Sequence, residues 1–265
     1  MELWKAALLG LVQGLTEFFP VSSDGHLVAL ERWLGVQPVG IGASFEAFLH
    51  VGTLFACLIA FRRDLRPLLG TLLAPDRLLR PSADDATAHE ARFVIVGTLA
   101  TVVTALPSAD WFESLYTVKS VLVLSLTLTG LLLFWSRYLL ATPVRRPAWW
   151  QPIVVGCVQT IAILPGVSRS CSTVVAGLLV GLGAARVARL SFLLSMPIVA
   201  AAVVRSAWKH PPSAELIAPL LVGNLVAFAV GLLAVRAMLE WVPRGRMHWF
   251  APWCFIVAAA VKWGT

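Results

Sequence analysis

The sequence carries little charge. Only 13% of its 265 residues are Asp, Glu, Lys or Arg, whereas 58% are hydrophobic and the mean hydropathy is +0.82. Soluble domains contain about one quarter charged residues, so this composition excludes an ordinary soluble enzyme and indicates a polytopic membrane protein. At roughly 20 residues per helical crossing, the chain can hold about six to eight crossings. We therefore expect a single transmembrane domain over residues 1–265.

Cysteines and basic clusters are also scarce. The four cysteines are scattered in apolar segments without a CxxC pair or a Cys/His spacing, which predicts neither a disulfide framework nor a zinc site. The net charge is +7, but no basic run is interleaved with aromatic residues, and we expect no nucleic-acid partner. The first apolar run lacks a basic preceding segment and contains Gln13 and Glu17, which favours a place in the mature fold over a signal peptide.

Polar residues are concentrated in two stretches of this apolar chain. Residues 12–30 read VQGLTEFFPVSSDGHLVAL, and residues 158–175 read VQTIAILPGVSRSCSTVV. A shift of 146 positions aligns them, placing Gln13 on Gln159 and Ser22 on Ser168. Ionisable side chains at bilayer depth are costly and normally face a cavity. We therefore interpret the two stretches as two halves of one functional site.

Each stretch predicts two short helices around a proline. Helices over about 3–18 and 24–34 flank Pro20, and helices over about 150–163 and 170–183 flank Pro165. Both pairs are too short to cross the bilayer, so we expect two re-entrant helix-turn-helix hairpins, which need protein or water to line them. Full spans are expected at about 44–61, 92–107, 118–136, 188–205, 214–236 and 247–263.

The order of a hairpin followed by spans occurs twice and predicts an internal repeat, about 1–136 and about 147–263. An odd number of spans separates the hairpins, so the second enters from the opposite side of the membrane. The predicted fold is therefore an all-α polytopic membrane protein, an inverted-topology repeat with about six transmembrane helices, whose hairpin tips can meet near the midplane.

The distribution of Lys and Arg predicts the orientation. They number 14 on the face that carries the 62–92 loop and 6 on the opposite face. The positive-inside rule then places both termini and the mouth of the first hairpin outside. Several tryptophans lie near predicted span ends, as in an interfacial belt; they are Trp149, Trp150, Trp249 and Trp253.

The first stretch is typical of a site for a phosphate held through a divalent cation. Gln13 and Glu17 are spaced i, i+4 on one helix face, and a serine pair with an acid and a histidine follows at the next helix start; these residues are Ser22, Ser23, Asp24 and His26. The alternative is a helix cap with a buried hydrogen-bond network. Two acids and a histidine within ten positions exceed what capping requires.

The second stretch combines Arg169 with hydroxyl groups at another helix start, which predicts an oxyanion cradle. Its other expected substrate-binding residues are Gly166, Ser168, Ser170, Ser172 and Thr173, together with Gln159. The alternative is that Arg169 snorkels or pairs structurally with Glu17. Glu46 and His50 lie i, i+4 in an apolar span, where they either support His26 or the metal or form a satisfied buried pair.

The segments QGLTEFFPVSSDGH and PGVSRSCST resemble the two signature motifs of the undecaprenyl-pyrophosphate phosphatases of the BacA, or bacitracin-resistance, type. The similarity extends over nearly the whole chain, including FEAFLHVGTLFA and SFLLSMPIVAAA. The resemblance implies an enzyme of the bacterial cytoplasmic (inner) membrane, built from interlocked inverted repeats. This enzyme would remove the terminal phosphate of a polyprenyl diphosphate and so recycle the lipid carrier for cell-wall synthesis.

The resemblance also implies residue roles. The E/Q-x-x-x-E element falls on Gln13 and Glu17, the Ser-Ser…His element on Ser22, Ser23 and His26, and the arginine of the second motif on Arg169. Two positions depart from the family pattern. Asp24 stands where a small neutral residue is usual, and it either joins the metal shell or lowers activity. Cys171 stands where glycine is usual, and it requires more room at the helix start.

The predicted reaction is phosphoryl transfer, in which positioning and charge neutralisation do most of the work. We expect Arg169 and its neighbouring hydroxyls to hold the diphosphate, while Glu17 with Gln13 and Asp24 holds Mg²⁺ or Ca²⁺. Ser23 attacks the phosphorus or positions a water, and His26 moves the proton. We expect the prenyl chain of the substrate to lie among membrane lipids, and the sequence is compatible with a homodimer.

The alternative function is a polyprenyl-phosphate or anion transporter, or flippase, on the same inverted repeat. Ser23 and His26 favour hydrolysis, since a transporter needs no general base.

Overall fold

The structure is a computed structural model that describes residues 1–36, 43–82, 84–115 and 118–264. These residues form helices and no strands. The α-helices are α1 Leu3–Thr16, α2 Ser23–Trp33, α3 Ala43–Ala60, α4 Arg62–Leu72, α5 Pro75–Leu79, α6 Ala86–Ala105, α7 Ala109–Ser114, α8 Lys119–Leu139, α9 Gln151–Ile161, α10 Arg169–Leu179, α11 Ala184–Lys209, α12 Ile217–Trp241 and α13 Ala251–Trp263. Short 3₁₀ turns precede α7, α12 and α13.

The long apolar helices are those of a multi-pass membrane protein. In the described ranges, 4 helical segments are long and apolar enough to cross a membrane, namely 86–108, 119–139, 184–209 and 214–241. A fifth crossing is added if α3 and α4, which are bent by 84° at their junction, are counted as one span. The expected count of about six crossings, the two re-entrant hairpins and the internal repeat stay predictions.

Several segments differ from the sequence-based expectation, including α5 and α7, which lie where loops were expected. The span expected over 247–263 begins as a 3₁₀ turn, so that α13 has only 13 residues. The polar connection after residue 61 contains α4, an amphipathic helix that the prediction missed. Its signal was present in the spacing of Leu65, Leu68, Leu69 and Leu72, but the flanking arginines obscured it.

The helices that precede the two prolines pack against helices distant in sequence. α1 packs along α12, and α9 packs along α6. A Cβ added at Gly10 of α1 would lie 2.2 Å from the carbonyl oxygen of Gly223, and one added at Gly156 of α9 would lie 2.3 Å from that of Gly97. Small residues permit this close approach of membrane helices. The glycines at aligned positions therefore make equivalent contacts in the two halves of the chain.

A buried aromatic group fixes the turn after α1. The ring of Phe18 contacts Phe192 of α11 edge-on with centroids 5.7 Å apart, and Phe61 lies on the same ring at 6.1 Å. All three side chains are fully buried. Because Phe18 follows Glu17, this packing restrains the backbone that carries the buried carboxylate.

Candidate active site

The turn between α1 and α2 has an unusual backbone conformation at Ser22. Among the described residues, Ser22 is the only non-glycine with a positive φ, at φ 74° and ψ 103°. Such a conformation costs about 1–3 kcal/mol and persists only where its surroundings enforce it. The Ser22 hydroxyl accepts a hydrogen bond from the Gly25 N–H at 3.3 Å and so caps α2. Ser23 is thereby the first residue of α2.

Glu17 joins the two polar stretches. Its Oε1 accepts a hydrogen bond from Arg169 Nη2, across 152 positions of sequence. Its Oε2 accepts from the Ser23 hydroxyl at 2.8 Å and from Gln13 Nε2 at 3.3 Å. The carboxylate is nearly inaccessible, with 8% of the residue exposed. One acidic group therefore holds the arginine, a serine and an amide together inside the protein.

His50 lies in this cluster rather than at a distance from it. Its Nε2 is 3.4 Å from Glu17 Oε2 and 3.8 Å from Asp24 Oδ1, while its Nδ1 donates to the Glu46 carbonyl oxygen at 2.9 Å. The expectation for His50 was a supporting role, and the structure places it in direct contact with Glu17. Glu46 is buried, as is Glu31, and within the described ranges no hydrogen bond joins Glu46 to His26.

The second stretch is organised around the start of α10. The Ser168 hydroxyl accepts from the Cys171 N–H at 3.3 Å and lies 3.2 Å from the Ser170 hydroxyl. Gly166 adopts φ 96°, and a Cβ there would lie 2.9 Å from a carbonyl oxygen of α8, so only glycine fits without strain. Thr129 of α8 donates to the Gly166 carbonyl oxygen at 2.8 Å and accepts from the Ser168 N–H at 3.0 Å.

Three expected substrate-binding residues are engaged elsewhere or support the helix. The Thr173 hydroxyl donates to the Arg169 carbonyl oxygen at 2.8 Å and lies 2.5 Å from the Ser191 hydroxyl. Gln159 donates to the Thr101 hydroxyl in α6 at 3.0 Å, not to a group of the Glu17 cluster. Ser172 is buried within α10. The structure thus brings Gln13 to Glu17 but places its aligned counterpart, Gln159, against another helix.

His26 is held by two partners outside the Glu17 cluster. Its Nδ1 donates to the Ser22 carbonyl oxygen at 2.7 Å, and its Nε2 accepts from the Trp253 indole N–H at 2.8 Å. In the described part of the chain no hydrogen bond joins His26 to Ser23. Trp253 and Thr129 were not predicted as site residues. Nothing in their local sequence marks them, since their partners lie at least 37 positions away.

The donor atoms fit a divalent cation that is shared with a substrate. Within the described ranges, no three His, Cys, Asp or Glu side chains are grouped to hold a metal by themselves. However, the Gln13 Oε1 atom is buried and has no hydrogen-bond partner among the described residues, and the same side chain bonds to the Glu17 carboxylate. Asp24 lies beside His50 of this cluster. Mg²⁺ commonly binds through one or two carboxylates plus substrate phosphates. Gln13, Glu17 and Asp24 offer two carboxylates and one amide oxygen, which agrees with this way of binding Mg²⁺.

One side of the Arg169 guanidinium has no hydrogen-bond partner among the described residues. This side is Nη1, which is buried. A guanidinium fork with one side on Glu17 and the other side unsatisfied is suited to a phosphate oxygen. The cavity beside Glu17 has a volume of about 10 Å³ and is lined in part by Thr53, Cys57 and Ser195. That volume accommodates about one water molecule.

The comparisons with known proteins all identify relatives from one family. A family model described as "Bacitracin resistance protein BacA" matches residues 6–260. The chain is 34% identical to the undecaprenyl-diphosphatase of Desulforapulum autotrophicum, over 97% of this chain and 96% of that protein. It is 37% identical to the proteins of the same name from Rubrobacter xylanophilus, over 98% and 97% of the two chains, and Mycobacterium marinum, over 98% and 94%.

Proposed function

This chain belongs to the family of the bacitracin resistance protein BacA, and we propose on that basis that it is an undecaprenyl-diphosphatase. It is an integral membrane hydrolase that converts undecaprenyl diphosphate to undecaprenyl phosphate and inorganic phosphate. The observation that supports this function best is the contact of Glu17 with both Arg169 and Ser23. It unites an anion-binding group, a nucleophile and a carboxylate inside an apolar protein.

We assign binding of the diphosphate to Arg169 and to the N-terminus of α10. Arg169 offers its unpaired Nη1, and the Ser168 and Ser170 hydroxyls lie at the same helix start. Nη1 can bind a phosphate oxygen while Nη2 stays on Glu17. Ser172 and Thr173 support the helix that carries these groups.

Ser23 is assigned as the nucleophile, or as the residue that positions the attacking water. Its hydroxyl donates to Glu17, which leaves an oxygen lone pair directed away from the carboxylate. The sequence-based role of His26 in moving the proton remains a proposal, and in the structure both ring nitrogens are engaged, Nδ1 by Ser22 and Nε2 by Trp253. His50 lies nearer to Glu17 and faces the same carboxylate.

Glu17, Gln13 and Asp24 are the residues that would hold Mg²⁺ or Ca²⁺ beside the diphosphate. A bound divalent cation supplies charge neutralisation on the phosphate oxygens. The Gln13 Oε1 atom, which has no hydrogen-bond partner among the described residues, supports this assignment. A buried amide oxygen is costly to leave without a hydrogen-bond donor or a bound cation.

The orientation follows from the charge distribution of the sequence. We assign both termini and the mouth of the site to the outer face of the bacterial inner membrane. The substrate's prenyl chain lies in the surrounding lipid, and a homodimer remains compatible with this arrangement.

The function is tested by phosphate release from purified protein with a polyprenyl diphosphate. We expect release by the wild type, its loss with EDTA, its recovery on adding Mg²⁺ or Ca²⁺, and no release by Ser23→Ala. Absence of release under all metal conditions would contradict the phosphatase assignment. Release that EDTA leaves unchanged would instead remove the cation from the mechanism, while the hydrolase function would stand.

The Asp24→Ser variant tests the metal shell. Asp24 is at the start of α2, where its carboxylate is favoured by the helix dipole, but beside a diphosphate an uncompensated negative charge repels the substrate. If Asp24 and Glu17 together held a cation, its charge would offset that repulsion. We expect Asp24→Ser to remain active and to need several-fold more Mg²⁺ for half-maximal rate, in a metal titration of phosphate release. Unchanged metal dependence would leave Asp24 with only its favourable charge in the first turn of α2.

A further inference from the structure

The imidazole of His26 is held at both ring nitrogens, and the two partners determine its tautomer. The Ser22 carbonyl oxygen only accepts hydrogen bonds, so Nδ1 must carry the hydrogen of the 2.7 Å contact. The indole N–H of Trp253 only donates, so Nε2 must present its lone pair across 2.8 Å. His26 is therefore held as the neutral Nδ1–H form.

His26 holds the carbonyl group of Ser22, the residue with the strained backbone conformation. The Ser22 carbonyl oxygen receives both the ring Nδ1–H and the His26 backbone N–H, the latter at 3.3 Å. Ser22 has the positive φ, and the next residue is Ser23, whose hydroxyl reaches Glu17. The opposite tautomer would point a lone pair at the carbonyl oxygen, which removes this restraint. The tautomer of His26 thus bears on the placement of Ser23.

Trp253 is positioned for this contact by packing between α13 and α2. Val257, Ala258 and Val261 of α13 belong to one buried cluster with Val28 and Ala29 of α2. The planes of the indole and imidazole rings are within 17° of each other, and their centroids are 6.1 Å apart. The hydrogen bond therefore runs close to both ring planes, where the indole N–H and the imidazole lone pair point.

The exposure of the two partners is unequal. Trp253 is 49% exposed, whereas His26 is 8% exposed. A substitution at Trp253 therefore removes the donor to a buried histidine without opening a cavity in the core.

We propose that Trp253 is a positioning residue for the hydrolytic reaction. Its indole N–H holds His26 in the Nδ1–H tautomer, His26 holds the carbonyl group of Ser22, and this turn keeps the Ser23 hydroxyl against Glu17. Trp253 itself touches neither Ser23 nor Glu17 in the described contacts. The kinetic part of this proposal rests on the proposed phosphatase function, whereas the tautomer part does not.

The kinetic test compares Trp253→Phe with Trp263→Phe, a control on the same helix with an exposed ring and no contact to His26. Losing one buried hydrogen bond is expected to lower kcat about tenfold in Trp253→Phe, with KM within about twofold, because the substrate-binding Arg169 is untouched. Trp253→His places an N–H the same number of bonds from Cβ, and we expect it to recover most of the rate. Wild-type kcat in Trp253→Phe would overturn the proposal.

The tautomer test uses ¹⁵N-histidine NMR of the purified full-length protein, with the His26 signal assigned by its loss in His26→Gln. We expect one Nδ1–H tautomer in the wild type and in Trp263→Phe, and a mixture of tautomers in Trp253→Phe. An unchanged tautomer in Trp253→Phe would overturn the proposal even if kcat falls. If the wild type released no phosphate, the proposed function would fail, and the NMR result alone would decide the link between Trp253 and His26.

Discussion

Replacing Arg169 with lysine is expected to lower kcat for phosphate release by roughly 100-fold, although the positive charge is kept. Arg169 uses Nη2 to pair with Glu17 and has Nη1 unsatisfied for the substrate. A lysine ammonium is a compact donor on a flexible chain and cannot reproduce the planar fork. Steady-state kinetics with a polyprenyl diphosphate measure the effect, and the folded yield of each variant is compared by size-exclusion chromatography.

The matched control is Arg205→Lys. Arg205 pairs at 3.0 Å with Asp110, outside the Glu17 cluster. The hydrogen bond from Lys209, together with the charges of Lys209 and Arg205, holds the pKa of the Asp110 carboxyl below its usual range. An ammonium can serve this exposed pair, so we expect Arg205→Lys to keep wild-type kinetics. Near-normal turnover in Arg169→Lys would show that Arg169 is a structural partner of Glu17 and not a ligand of the phosphate.

The second large effect is expected when alanine replaces a glycine at the contacts between helices that are distant in sequence. In Gly10→Ala the new methyl group would lie 2.2 Å from the Gly223 carbonyl oxygen, and neither backbone can move without separating α1 from α12. Overpacking of this kind costs about 1–3 kcal/mol. Gly156→Ala meets the Gly97 carbonyl oxygen at 2.3 Å, and we expect a similar loss. Unfolding in mixed micelles by SDS titration measures the change in the free energy of unfolding.

Gly70→Ala is the control for this pair. Gly70 is also helical, but apart from its chain neighbours and the nearby backbone of its own helix, no atom of the described residues lies within 4 Å of an added Cβ. Alanine favours helix over glycine by about 1 kcal/mol, so this variant should be as stable as the wild type or more stable. Equal unfolding curves for Gly10→Ala and Gly70→Ala would mean that α1 and α12 do not approach as closely as the structure indicates.

Much of the candidate site could be predicted because its signals are local. Glu17, Ser23 and Arg169 stand out as polar side chains in apolar segments, and the prolines beside them predict breaks in the helices. The structure joins these residues by direct hydrogen bonds. The aligned pair Gln13 and Gln159 shows the limit of such reasoning. Their sequence positions correspond, but only Gln13 bonds to Glu17, while Gln159 bonds to Thr101.

The sequence by itself determined the class of the protein, most of its long helices and the residues with unusual polarity for a membrane. Hydropathy, helix breakers and motif spacing act over a few residues, so they can be read without a structure. Only the tertiary structure decided that Ser23 donates to Glu17, that His26 is bound by Trp253 and that Thr129 braces the turn at Gly166. The physical reason is that each polar group selects a partner by distance and direction. Those quantities depend on how helices separated by up to 227 positions pack together.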